Sequence, residues 1–253
     1  MKKNLSVTLV IPVFNSEISV PPLYSRLIPV LNETASEYEI IFVDDASRDQ
    51  SWQVIEKLAC HDEKVRGIGF TKNFGQHNAL LCGIRAAKYE VIVTIDDDLK
   101  HSPESIPLLL KKLREGSDVV YGAPKVLPSP FCRSLISLVL KRVLAKLTGV
   151  SSVRDLSAFR AFKTSLRESF ASDQGADVLL DELLAKATRS FSSVAVFYET
   201  RVYRKSQYTV AKLFKQTVLL FTRFSAVSLK ARRGPCGGSS YLIREKTKAY
   251  VAF

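Results

Sequence analysis

The stretch "EVIVTIDDDLKHSPE", residues 90–104, runs a short apolar segment straight into three consecutive aspartates. An apolar run of that length, rich in β-branched residues, reads as a buried strand. Three adjacent carboxylates repel one another unless a cation neutralises them or they splay into water at a turn. The stretch therefore poses one question about fold and one about chemistry. It predicts a buried strand whose carboxyl end carries either a metal or a solvated loop.

The same unit recurs outward from it. "SVTLVIPVF", "YEIIFV" ending at Asp44, "VRGIGF" and "DVVYG" read as further strands. Between them, 21–31, 49–59 and 76–87 have helical spacing, and Pro103 opens a helix continued over 105–114. This alternation predicts an α/β fold with a mostly parallel sheet whose ligands gather at the strands' carboxyl ends. Four polar clusters follow predicted strands: Asn15 to Glu17, Asp44 to Asp49, Lys72 to Gly75, and Asp96, Asp97 and Asp98. Any one of them reads equally well as a solvated turn. Four on one edge make a candidate site.

Within the last cluster, Asp96 and Asp98 are expected on one side of the backbone and Asp97 on the other. Two hard oxygen donors on one side suit Mg²⁺ or Mn²⁺, which bind carboxylates together with ligand phosphates. Asp44 and Asp45 could accept hydrogen bonds from a base N–H or a ribose hydroxyl. Ser47 also fits the N-cap of the following helix, with Asp49 in its first turn.

Charge divides the chain. Residues 1–124 carry 14 Lys+Arg against 17 Asp+Glu, net −3, whereas 125–253 carry 23 against 8, net +15. A basic half can meet nucleic acid, an anionic membrane or phosphorylated ligands. No nucleic-acid-binding motif accompanies it, and that reading leaves the aspartates without a purpose. Cys60, Cys82, Cys132 and Cys236 lack the spacing of a zinc site or disulfide framework and suit a reduced cytosolic setting. No run of about 18 apolar residues spans a bilayer. His61, His77 and His101 have no paired spacing and read as structural or solvated.

The basic half holds two amphipathic stretches, 133–147 and 208–229, whose faces either pack on the core or lie in a membrane surface. Between them, "DLSAFRAF" reads as a turn before a strand or helix, 177–187 as a helix and "SSVAVFYETRVY" as a strand.

In order, "IPVFNSE", "VDDASRD", "TKNFGQHNAL" and "TIDDDLKHSPE" resemble the inverting family-2 glycosyltransferases of GT-A fold. The similarity is greatest to the polyprenyl-phosphate sugar transferases, the group of dolichyl-phosphate mannose synthase and the undecaprenyl-phosphate glucosyl and aminoarabinose transferases, and covers about residues 5–229. The resemblance implies a nucleotide-sugar donor, a divalent cation (Mg²⁺ or Mn²⁺), a polyprenyl phosphate acceptor and a role in cell-envelope polysaccharide or glycolipid synthesis. By that resemblance Pro12, Val13, Asn15, Glu17, Asp44, Asp45, Lys72, Asn73, Asp96 and Asp97 serve the nucleotide sugar, and Asp98 with Asp96 the metal. Arg133, Ser137, Arg160, Arg201 and Ser206 serve the acceptor phosphate, and Asp96, Asp155 and Arg201 the catalytic step. Residues 1–124 then form the nucleotide-sugar half of a domain covering 1–229, and 125–229 the acceptor half. The expected setting is peripheral, on the cytoplasmic membrane face, without nucleic acid; an oligomer is compatible with the sequence.

Several positions depart from the family pattern. Pro124 stands where an Arg is usual, Lys100 where a Gln or Asn follows the aspartates, and Arg204 and Gln207 where the later loop has Gly and Lys. Residues 230–253 replace the usual transmembrane helices with a Gly-, Pro- and Arg-bearing tail that reads as disordered. Two alternatives stay open: a family-2 enzyme acting on a saccharide hydroxyl, or a truncated inactive relative.

Overall fold

The computed structural model describes residues 5–124, 157–170, 180–199 and 243–246. Its strands are β1 (Val7–Val13), β2 (Tyr38–Asp44), β3 (Val65–Phe70), β4 (Val91–Thr94), β5 (Val119–Pro124), β6 (Arg160–Lys163), β7 (Phe191–Val196) and β8 (Ile243–Lys246). They form one sheet in the order β7-β5-β6-β4-β1-β2-β3-β8. β4, β1, β2 and β3 run parallel, and β5 pairs parallel with β7. β6 is antiparallel to both β4 and β5, and β8 is antiparallel to β3.

The helices α1 (Val20–Thr34), α2 (Ser51–His61), α3 (Gln76–Ala86), α4 (Ile106–Arg114) and α5 (Leu180–Ala187) cover both faces. Alternation along β1 explains how. Val7, Leu9, Ile11 and Val13 join the cluster built with α1, α2 and α4, while Val10 joins the one built with α3 and α5. A strand buried on both faces is mostly apolar, and its polar residues pair with one another, as Thr8 of β1 does with Glu39 of β2 at 2.7 Å, which is why the strand segments read as largely apolar runs. The approach of α3 requires Gly83, because a Cβ there would lie 2.4 Å from Val10 Cγ1. Cys60 and Cys82 are free thiols.

The α/β expectation holds, and the end of "DLSAFRAF", from Arg160, enters β6. Two local expectations need correction. Gln50, not Ser47, stands at the N-cap of α2, without a side-chain capping bond, and the Ser47 hydroxyl is used elsewhere. Within the tail, 243–246 form β8, so the expected disorder does not extend to those four residues: the edge of β3 offers unpaired backbone groups that an extended segment satisfies.

This topology positions the site. β1 sends the chain to β2 on one side, while β4 lies on its other side. Such a reversal opens a crevice outside the carboxyl ends of the two central strands. Residues 15–17 and 96–98 sit at that crevice.

Candidate active site

Three loops at the carboxyl edge contain a non-glycine residue with positive φ: Asn15 at 53°, Ala46 at 56° and Leu99 at 58°. Each costs conformational energy that the surrounding bonds must offset, and such strain concentrates where backbone meets a ligand. The offsetting bonds are present. Asn15 N donates to Ser47 Oγ (2.8 Å), and Arg48 N donates to Asn15 Oδ1 (2.7 Å). Glu17 N donates to Asp49 Oδ2 (3.1 Å), and Gln50 N donates back to Glu17 Oε2 (2.8 Å). The loops after β1 and β2 are thus stitched reciprocally along their length. Pro12 and Val13 stand opposite Val43 and Asp44 in the same register.

Asp44 and Asp45 are both buried, in different directions. Asp44 Oδ2 accepts from Ser47 N at 3.2 Å. The Asp45 carboxylate accepts the N–H groups of Phe74 (2.7 Å) and Gly75 (2.9 Å), and its carbonyl accepts Asn73 Nδ2 (3.3 Å). It fastens the loop that carries Lys72 and Asn73 to the end of β2. Burial pushes the Asp45 carboxyl up to about 6, against those two N–H groups, which favour the charged form. Lys72 stands with its ammonium 5.1 Å from the Phe74 ring centroid.

The three aspartates follow the end of β4, with 97 and 98 in a turn, and each has different partners. Asp97 turns inward: its Oδ2 accepts Phe14 N (3.3 Å) and the Ser16 hydroxyl. Asp96 accepts Gln76 Nε2 at 2.6 Å, and Asp98 pairs with Lys100 Nζ at 2.7 Å. Asp96 is pushed up to about 7, first by burial and then by the negative charges of Asp98 and Asp97. A carboxylate disfavoured by its neighbours' charge is one that a divalent cation would stabilise. No group of three His, Cys, Asp or Glu able to hold a metal occurs among the described residues. Two carboxylates completed by ligand phosphates is the arrangement Mg²⁺ and Mn²⁺ accept, so Asp96 and Asp98 fit the implied ion.

Behind Asp96 lies a buried polar cluster. Arg160 is expected from the resemblance at the acceptor phosphate; in the structure it is 2% exposed, bonded through Nη1 to Asp181, with its guanidinium 5.7 Å from the Tyr121 ring. Tyr121 donates to the same Asp181 oxygen (2.9 Å). The positive charge of Arg160 favours the ionised form of Asp96 from beneath. His77 stands close enough to feel Arg160 and Asp181, and burial lowers its pKa.

On the other side of the aspartates, His101 gathers three segments. Its Nε2 lies 3.1 Å from Ser157 Oγ, and its ring meets Phe159 and Tyr198 at centroid distances of 5.4 and 5.3 Å. Glu199 N donates to Lys100 O (2.8 Å), and Arg26 binds both Glu104 and Glu199 at 2.7 Å. Arg133, Ser137, Asp155, Arg201 and Ser206 lie outside the described residues, as do both amphipathic stretches. No described helix is long and apolar enough to cross a membrane. Sequence reasoning did not see the bonds that Ser16, Ser47 and Gln76 make across loops. These residues lie 81, 32 and 20 positions from the partners they bind, so no local pattern marks the bonds.

Residues 8–129 match the family model described as Glycosyl transferase family 2. The undecaprenyl-phosphate 4-deoxy-4-formamido-L-arabinose transferase of Proteus mirabilis is 30% identical over 225 residues, 88% of this chain and 69% of that protein. An uncharacterised glycosyltransferase of Bacillus subtilis is 27% identical over 91% of this chain and 72% of its own length. Among solved structures, glucosyl-3-phosphoglycerate synthase from Mycobacterium tuberculosis, in complex with Mn²⁺, UDP and glucosyl-3-phosphoglycerate, superimposes with a TM-score of 0.67 at 19% identity. That likeness covers 96% of this chain and 88% of the other, and it identifies the fold as GT-A.

Proposed function

The chain belongs to glycosyl transferase family 2, and on that premise we propose that it moves a sugar from a nucleotide diphosphate, a UDP-sugar, to a polyprenyl phosphate such as undecaprenyl phosphate. The transfer inverts the anomeric centre, uses Mg²⁺ or Mn²⁺, and serves cell-envelope polysaccharide or glycolipid synthesis from the cytoplasmic membrane face. One observation carries the reading: at the β1/β4 reversal, Asp96 and Asp98 have other partners than the inward-turned Asp97 and stand beside the bonded loops that follow β1 and β2. The similarity to undecaprenyl-phosphate sugar transferases supports the acceptor class.

Asn15, Glu17, Asp44, Lys72 and Asn73 would line the nucleotide side, with Asp45 and Asp97 holding their loops in place. Asp96 and Asp98 would hold the cation, which when bound offsets charge on the diphosphate leaving group. A phosphate acceptor is already ionised near neutral pH, so its oxygen can attack the anomeric carbon as the diphosphate oxygen departs, without a strong general base. The protein has to align two anions and neutralise their repulsion. Arg133, Ser137, Arg201 and Ser206 would grip the acceptor, with Asp155 reaching back to the site. The basic charge of 125–229 suits that task and an anionic membrane surface.

The test is transfer of radiolabel from UDP-, GDP- and dTDP-sugars to undecaprenyl phosphate in detergent, with Mn²⁺ or Mg²⁺ against EDTA. Cation-dependent label in the lipid fraction is expected. Label found only in a water-soluble saccharide would instead identify a hydroxyl acceptor.

A further inference from the structure

Asp98 already has a cation. Lys100 Nζ stands 2.7 Å from Asp98 Oδ2, and the Lys100 backbone N–H donates to Asp98 Oδ1 at 3.2 Å, so the same residue engages both carboxylate oxygens. The two side chains are only 19% and 12% exposed, which limits the solvent screening that makes surface pairs weak. We propose that the Lys100 ammonium is a built-in counter-cation of Asp98 that a divalent ion must displace, so that the ion and a nucleotide diphosphate bind this chain weakly apart and strongly together. The inference rests on the donor-and-cation reading above.

The geometry supplies the mechanism. The Lys100 backbone is held, because its carbonyl accepts Glu199 N at 2.8 Å and the residue before it is fixed at positive φ. The side chain is a flexible four-carbon stem with a point charge, able to swing about a fixed Cα. A divalent ion arriving alone has to expel that ammonium and leave it without a counter-charge in a partly shielded crevice. A diphosphate arriving with the ion provides one, since its oxygens bring negative charge to the same crevice. Coupling of this kind is reciprocal: whatever factor the nucleotide adds to ion affinity, the ion adds to nucleotide affinity. A neutral side chain at position 100 would leave Asp98 open to the ion and remove the reason for the coupling.

The experiment measures free Mn²⁺ by electron paramagnetic resonance in solutions of the full chain, alone and with UDP, corrected for the UDP–Mn²⁺ complex. The wild type is expected to bind Mn²⁺ more than about tenfold tighter with UDP than without. Lys100→Gln should bind Mn²⁺ alone about tenfold tighter than the wild type and lose a corresponding part of the UDP effect. Lys100→Arg, which keeps the charge, should behave as the wild type does and controls for a packing change at this position. Equal Mn²⁺ affinity of wild type and Lys100→Gln without nucleotide, with both still binding in its presence, would overturn the inference and leave the cation reading standing. Failure of all three to bind Mn²⁺ even with UDP would overturn both.

Discussion

Asp97 and Ser16 close the crevice between β4 and β1: the Ser16 hydroxyl donates to Asp97 Oδ2, which also accepts Phe14 N at 3.3 Å. The middle aspartate of the triplet thus holds the first loop, while its neighbours bind Gln76 and Lys100 instead. Asp97→Ala leaves Phe14 N without this acceptor and the Ser16 hydroxyl with only Phe14 O, at 3.2 Å, and should lower stability by about 1–3 kcal/mol. In transfer assays it should raise the donor KM, because the first loop loses its anchor. An unchanged urea midpoint in Asp97→Ala would refute this division of labour.

Asp98→Ala should behave in the opposite way. It relieves repulsion on Asp96 but takes the partner from Lys100, and because the two effects oppose one another stability should stay within about 1 kcal/mol of wild type. If the cation is held as proposed, turnover should fall by about 10²–10³. Parallel melting curves and kcat values for the two alanine variants decide the matter, and a Asp98→Ala enzyme that keeps wild-type turnover with Mn²⁺ would remove Asp98 from the metal site.

The contrast between these neighbours shows what a sequence can and cannot carry. Three aspartates at a strand end make a difference in direction within the triplet readable from sequence, but not what each one meets, because residues 97 and 98 stand in a turn beyond β4. Asp97's partner Ser16 is not readable, because the contact depends on β1 and β4 lying side by side. The strands of the first half were legible for a physical reason as well: burial on both faces favours apolar residues, with exceptions such as Thr8 and Glu39 that bond each other. β6 was ambiguous because "RAFK" is too short to display a period, and β8 because its four residues gain order only from the edge of β3. Ser47 illustrates competition. It has the chemistry of a helix cap, but its hydroxyl accepts from Asn15, held there by a loop 32 residues earlier.

Asp45 offers a prediction about architecture. Both of its oxygens are taken by backbone N–H groups of the 72–75 loop, so Asp45→Ala should cost about 2–4 kcal/mol and loosen Lys72 and Asn73 together. Gly75→Ala tests the same loop from its other end. With φ at +92° it should lose roughly 1 kcal/mol, although an added Cβ meets nothing within 4 Å. Hydrogen exchange confined to this loop, rather than spread through the sheet, is the expected signature in both variants. Uniform exchange would assign Asp45 to the core instead.

His101 predicts a pH dependence. Burial is the main cause that lowers it to about 4, whereas an unfolded chain protonates near 6.5. Above that pH both states are neutral and its contribution is complete. As pH falls from about 6.5 toward 4 the unfolded chain takes up a proton that the folded one refuses, so stability drains away, by on the order of 3 kcal/mol once both are charged. Asp45 and Asp96 act in the reverse sense: raised to about 6 and 7, they let the folded chain bind protons first and gain stability over the same interval. The net curve of the wild type therefore hides each part. Comparison with His101→Gln isolates one of them. The gap in unfolding free energy between wild type and variant should shift in the variant's favour by about 2–3 kcal/mol from pH 7.5 to 4.5. A gap that does not move with pH would mean that the ring, packed between Phe159 and Tyr198, accepts its proton in the folded state.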